Sequence, residues 1–329
     1  MADKSKIEWT DATWNPIRGC SRVSEGCRHC YAEAVAGRFR GPGLAYEGLT
    51  QITNGRPVWN GTIQFVEEHL LDPLKWKRPR RIFVNSMSDL FHENVTDVMR
   101  DRIFAVMALA PQHTFQVLTK RPERMLAYLN AHNADIVIWA RMSDHNIGLG
   151  CARSSWPLPN VWLGVSVENQ RAADERIPLL LQTPAALRFL SLEPLLGPVN
   201  LRSLALPAHN DFAVHECSID ALSFLIDGRS GLGWAICGGE SRPGARPMHP
   251  DWARALRDQC IAAGVPFFFK QWGEWASHPK PEDYWLEKAR AAVNWHEWSD
   301  GIWSHQFGKK AAGHLLDGQE WHQFPELAT

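Results

Sequence analysis

Three of the chain's seven cysteines fall within eleven residues, in the stretch GCSRVSEGCRHCYAEA from Gly19 to Ala34. Cys27 and Cys30 are separated by two residues, a gap that lets both thiolates reach one metal centre, and the six-residue gap before Cys27 lets the loop bring Cys20 alongside. A structural zinc site calls for four protein ligands, usually with a second Cys-x-x-Cys or His pair, and none lies nearby; His29 sits between two of the ligands, a poor position for a fourth. A cubane iron–sulfur cluster suits the donor count better, because three cysteines leave one iron open to a ligand that is not protein. The other four cysteines, Cys151, Cys217, Cys237 and Cys260, are scattered and read as buried small hydrophobes. An odd total without a signal peptide argues against a disulfide framework.

A second set of reactive side chains stands where apolar runs stop. RIFVNSMSD (81–89) ends in Asn85, Ser86, Ser88 and Asp89, and TFQVLTKRP (114–122) ends in Thr119, Lys120 and Arg121. NVWLGVSVEN (160–169) offers Ser166, Glu168 and Asn169, with Ser166 and Glu168 on one face by strand alternation. LRFLSLEP (187–194) ends at Glu193, GWAICGGES (233–241) at Gly238, Gly239 and Glu240, and VPFFFKQWG (265–273) carries Lys270. A buried carboxylate needs a cation, so Glu193 and Glu240 are expected to pair with Lys120, Arg121 or Lys270. Gly238 and Gly239 would allow backbone to approach a ligand closely.

Runs of this kind read as buried parallel strands with their functional groups at the C-terminal tips. Helical patterns lie between them. After Thr96, a plausible N-cap, Met99, Ile103, Val106, Met107 and Ala110 share a helix face; Trp252, Leu256 and Cys260 make a similar stripe that Gly264 can end. Alternating strand and helix predicts an α/β domain over 1–273. Residues 141–159 and 199–232 exceed a normal connection and read as insertions. From 274 to 329 the sequence turns polar and Trp-rich, with SDG and LDG as hairpin signals, which predicts a small β appendage or lid. Sixteen tryptophans, 45% hydrophobic content and a net charge of −1 describe a globular chain with no global footprint for nucleic acid. No apolar run reaches the roughly 18 residues of a membrane span, so a cytoplasmic location is expected.

Together these residues resemble the radical S-adenosylmethionine (SAM) superfamily, although the six-residue first gap departs from that superfamily's commonest spacing. More closely, IEWTDATWNPIRGCSRVSEGCRHCYAE, FVNSMSDLFH, VLTKRPER, GVSVEN, LSLEPLLGP, CGGES and FFFKQWGE resemble a three-cysteine-motif protein family of phages and mobile elements, over nearly the whole chain. The resemblance implies a partial TIM-type (β/α) barrel with parallel strands and a [4Fe-4S] cluster on Cys20, Cys27 and Cys30. The open iron would bind the amino and carboxylate groups of SAM, and reductive cleavage would yield a 5′-deoxyadenosyl radical that abstracts hydrogen from a substrate.

On that reading Asn85, Ser86, Ser88 and Asp89 accept from SAM's ammonium, Ser166, Glu168 and Asn169 suit the ribose, and Thr119, Gly238 and Gly239 complete the cofactor site. Glu193, Glu240, Lys120 and Lys270 are the catalytic candidates. An electron donor such as flavodoxin or ferredoxin is implied. Trp9, Trp14, Trp272 and Trp275 would stack a base, which favours a nucleotide or nucleic-acid substrate. Two other readings compete. A glycoside hydrolase would use two of Glu168, Glu193 and Glu240 and leave the cysteines idle. A zinc module that binds nucleic acid would need a fourth ligand and a basic patch.

Overall fold

A computed structural model describes residues 5–131, 156–205, 218–226, 229–278 and 294–326. Seven strands make one sheet: β1 Ala12–Trp14, β2 Arg81–Val84, β3 Thr114–Thr119, β4 Val161–Ser166, β5 Leu187–Leu192, β6 Trp234–Gly238 and β7 Phe267–Gln271. The six apolar runs are β2 to β7. β1, three residues long, is too short to leave a pattern in the sequence. Strand order follows chain order, as in the winding of a (β/α) barrel, but β1 and β7 remain the two ends of the sheet, so it is open. Neighbouring strands run parallel, with Ala12 opposite Ile82, Ile82 opposite Phe115, Phe115 opposite Val161, and Ala235 opposite Leu190 and Phe267.

The chain forms two compact units. The first comprises Met1–Ser24, Ala32–Val165 and Leu179–Arg188; the second comprises Glu25–Tyr31, Ser166–Pro178 and Phe189–Thr329. In the first, α1 Tyr31–Arg38, α2 Asp97–Leu109 and α3 Pro122–Leu129 accompany the early strands. Thr96 caps α2, its Oγ1 accepting from the Met99 N–H at 3.3 Å, and Ile103, Val106, Met107 and Ala110 of the expected face are fully buried. α4 Gln170–Gln182 follows β4 and begins in the second unit.

In the second unit α5 Pro250–Ala262 buries Leu256 and Cys260, and the chain reverses at Gly264 with φ +67°. Phe267, Phe268 and Phe269 are consecutive and all buried, so both faces of β7 are covered; each such ring contributes about 1.5–3 kcal/mol. The free edge of β7 is covered too. Phe269 N donates to Trp321 O at 2.7 Å, Gln323 N donates to Phe267 O at 3.2 Å, and His322 stacks on Phe268.

β8 Trp275–His278, β9 Trp295–Glu297 and β10 Trp303–Gln306 form an antiparallel sheet in the order β8-β10-β9. The expected turns are present at Asp300-Gly301 and Asp317-Gly318, with Gly301, Asp317 and Gly318 at positive φ. The expected insertion 199–232 contains two short ladders, Leu204–Ala205 with Ser218–Ile219 and Leu225–Ile226 with Arg229–Ser230. Most of the other insertion, with Cys151, lies outside the described residues, as does Cys217. Among the described residues no helix is long and apolar enough to cross a membrane.

Candidate metal centre

Cys20, Cys27 and Cys30 are half-buried thiols, unlike Cys237 and Cys260, which are sealed in the core as expected. Burial pushes the Cys260 thiol up to about 12 and the Cys237 thiol upward as well, so neither is a ready thiolate. Cys27 closes a 3-10 turn, Glu25–Cys27. The Cys30 N–H donates to the Cys27 carbonyl at 3.3 Å, and α1 starts at the next residue. The Cys-x-x-Cys pair therefore lies on one compact turn at a helix N-terminus.

The first half of the loop is fastened inside the first unit. Gly19 N donates to Met87 O at 3.3 Å, and Gly19 bridges Ser88. One residue past Cys20, the Ser21 hydroxyl donates to Glu93 Oε1 at 2.9 Å, accepts from Arg121 Nη2 at 2.8 Å and meets His92 Nε2 at 2.9 Å. His92 Nδ1 accepts the Asn94 N–H, so the neutral ring carries its proton on Nε2 and donates it to Ser21. Arg121 also binds Asp89 Oδ2 at 3.1 Å and Glu93 Oε2 at 2.9 Å. Burial lowers the Arg121 pKa, but Asp89, the Cys20 sulfur and Glu93 outweigh it and raise it. The guanidinium is thus a fixed cation beside Cys20. Arg22 reaches α1, donating to both oxygens of the buried Glu33 at 2.9 and 2.6 Å.

The strand-end residues of this unit serve that scaffold. Asn85, at φ +59°, accepts the Ile17 N–H on Oδ1; Ser86 donates to Asn15 Oδ1, and Ser88 donates to Ile17 O. Asp89 accepts from Phe91 N, Thr119 Oγ1, Lys120 N and Arg121. Thr119 also accepts the Arg121 N–H. Most of the polar atoms that the sequence assigned to SAM are engaged with protein. An exception among the described residues is Asn85 Nδ2, a buried donor without a protein partner.

The second half of the loop is fastened inside the second unit. Asn169 Nδ2 donates to Glu25 Oε1 at 2.5 Å while its Oδ1 caps α4 through Ala172 N. Arg246 Nη2 donates both to the Glu25 carbonyl at 3.0 Å and to Glu240 Oε1 at 2.7 Å. The Glu168 carboxylate packs on Gly26, where an added Cβ would come within 3.1 Å of it, and is held by both Nη atoms of Arg176 at 2.8 and 3.2 Å. Ser166 is buried, its carbonyl accepting from Arg176. Glu168, Asn169 and Glu240 thus clamp the Cys27 turn directly or through Arg246.

Two expectations about pairing divide. Glu193 does pair with Lys270, whose Nζ lies 2.7 and 2.9 Å from its oxygens, and Gln271 adds a third donor at 3.2 Å. Glu240 instead takes Arg246, six residues on, because the loop after β6 folds back over the strand end. Lys120 belongs to the first unit, and Glu193, Glu240 and Lys270 belong to the second. Gly239 does admit a close backbone, but the approaching backbone is the protein's own: an added Cβ would lie 1.9 Å from Trp272 O. Beside Gly238 the nearest atoms belong to Glu193, at 3.4 Å.

The four tryptophans expected to stack a base are core residues, 0–9% exposed. Three of their indole N–H groups are tied down, Trp14 to His69 O, Trp272 to Leu315 O and Trp275 to Ala245 O. Arg176 and Arg246 escaped the sequence reading. Arg176 left a signal, because it shares a helix face with Ala172 and Ala173, where an arginine needs a buried partner. Arg246 left none.

A family model described as "Protein of unknown function (DUF5131)" matches residues 4–325. No curated protein and no solved structure matches the chain.

Proposed function

The chain belongs to the DUF5131 family, whose description assigns no activity, and we propose that it is an iron–sulfur enzyme of the radical SAM type, with Cys20, Cys27 and Cys30 holding a [4Fe-4S] cluster. The observation that carries this reading is the fastening of the cysteine loop. Its thiols are half-buried rather than sealed in a core, while the residues beside them are gripped by charged groups that are themselves largely buried. Such networks are costly to desolvate and hold one geometry once satisfied. Three cysteines are the donor count such a cluster calls for, and the reading is supported by Cys20 lying next to the Arg121 cation and Cys30 standing directly before α1.

When bound, such a cluster supplies the electron that splits a carbon–sulfur bond of SAM. The chain's own residues hold the loop for it. Arg121 keeps positive charge beside Cys20, Arg246 and Asn169 fix the Glu25 end of the turn, and Glu168 with Arg176 packs under Gly26. The strand winding is that of a (β/α) barrel, the architecture this reading expects. A flavodoxin- or ferredoxin-type electron donor belongs with it. A nucleotide substrate loses its main support, since the tryptophans invoked for stacking are in the core. The hydrolase reading also loses weight: Glu168, Glu193 and Glu240 are each held by a cation at two oxygens, an arrangement that disfavours carrying a proton for a leaving group.

The test is anaerobic reduction with dithionite in the presence of SAM, followed by chromatography for 5′-deoxyadenosine and methionine. Both products are expected from the wild type and neither from Cys27→Ala. A cluster-loaded protein that leaves SAM intact would defeat the SAM half of the proposal.

A further inference from the structure

The second unit carries a cleft of about 770 Å3, in the size range of sites that take small organic molecules. Three of its twelve described lining residues are aromatic. His249, Trp252 and Trp298 pack on one another with ring centroids 4.9, 5.2 and 5.8 Å apart, and Trp298 is fixed by its indole N–H on Ser304 Oγ. The lining amides are committed elsewhere: Gln259 donates to Val199 O and accepts from Leu201 N, and Gln170 bonds to Asp174 and accepts from Asn200 N. Two exposed carboxylates, Asp251 and Asp300, complete the lining. Among the described lining residues there is no lysine or arginine. Arg254 touches Asp251 from outside the lining but divides between Asp251 and Asp317, while Arg257 divides between Asp317 and Asp258.

Which cation would such a cleft take? His249, Asp251 and Asp300 place three ligand atoms within 4.8 Å of one another, which suggests a metal. The helix cap argues against it. His249 Nδ1 accepts the Asp251 N–H at 3.2 Å, so the neutral ring carries its proton on Nε2, which faces Asp300 Oδ2 at 2.9 Å. A metal at Nε2 would have to displace that proton and break the cap to restore it on Nδ1. An organic cation makes neither demand.

We propose that this cleft binds an alkylammonium or guanidinium group, its apolar stem against Trp252 and Trp298 and its charge shared by Asp251 and Asp300. Indole faces and carboxylates attract such cations together, through the ring quadrupole and charge-assisted hydrogen bonds. The group can come from a free polyamine or from an arginine or lysine side chain of a protein. The site stands independently of the cysteine loop's chemistry.

Isothermal titration of the full chain with agmatine, with the neutral n-butylurea and with a Gly-Arg-Gly amide tests it. Agmatine is expected to bind and n-butylurea to give no heat, and the Asp251→Asn/Asp300→Asn variant is expected to weaken agmatine by at least about tenfold. The agmatine and butylurea comparison on the unaltered chain decides the matter even if the variant misfolds. Tighter binding of the peptide supports a protein side chain as the source, and tighter binding of agmatine supports a free polyamine. Absence of binding by both cations, equal affinity in the double variant, or Mn2+ or Zn2+ binding in place of agmatine would overturn the proposal.

Discussion

Arg121 illustrates how much one side chain does. It joins Asp89, Glu93 and Ser21, and it is 4% exposed. Removing it would strand Asp89 at a cost of about 3–5 kcal/mol, so its role in the loop cannot be separated from its role in the fold by deletion. Glu93 is more informative. Burial raises its pKa, but its own backbone N–H, the Ser21 hydroxyl and Arg121 outweigh this and hold it down at about 2, below the ordinary 4.5. The stabilisation is present above pH 4.5 and lost as pH falls toward 2. His92 is lowered from 6.5 by burial and by Arg121, so its contribution is lost earlier, as pH falls below 6.5. Urea midpoints measured across pH should therefore decline below 6.5 and again below 4.5, and Glu93→Gln should shrink the second decline, to which Asp11 and Asp317, also lowered, contribute as well.

Two neighbouring glycines give a sharper contrast. Gly239→Ala would drive a Cβ into the Trp272 carbonyl at 1.9 Å, whereas Gly238→Ala makes an ordinary 3.4 Å contact. The first is expected to cost roughly 3 kcal/mol or more and the second under about 1 kcal/mol, read from thermal midpoints. At this scale the sequence revealed the cysteines, the need of Glu193 and Glu240 for a cation, and Lys270 as one of three candidates, of which Glu193 takes it. It did not reveal that the cation is Arg246, because the choice depends on how the loop after β6 returns.

At the scale of elements, the cysteine turn is held from outside itself. A 3-10 turn of three residues has little stability of its own, and here Asn169, Arg246 and Glu168 supply it. Arg246→Lys keeps a cation for Glu240 but loses the forked reach to the Glu25 carbonyl. Cys27 in the metal-free protein should then react with iodoacetamide roughly severalfold faster, by peptide mass spectrometry, with little change in the thermal midpoint. An unchanged rate would show that the turn needs no clamp. Periodicity made the strands and α2 and α5 legible, down to the Thr96 cap and the Gly264 stop. β1 was hidden by its length. The polar strand ends were visible, but their task was not: a residue that binds a ligand and one that braces a loop have the same composition.

At the scale of the whole molecule, the parallel winding was legible and its closure was not. Alternating apolar runs and helices give the order of strands, whereas the ends of the sheet depend on what covers the edges. At the β7 edge that cover is the chain's own segment 321–323. This explains part of the Trp-rich C-terminal region in physical terms, since an uncovered edge strand invites pairing with another chain. The tryptophan count misled for a related reason. Many stand among polar residues in sequence, yet Trp14, Trp272 and Trp275 are buried because distant carbonyls satisfy their N–H groups.

The central claim is that the braced loop holds a cluster, and metal and sulfide analysis of anaerobically reconstituted protein addresses it most directly. The account predicts about four iron and four sulfide per chain, falling sharply in each of Cys20→Ala, Cys27→Ala and Cys30→Ala but not in Cys260→Ala. One zinc per chain without sulfide, or iron retained when any of the three cysteines is replaced, would contradict it.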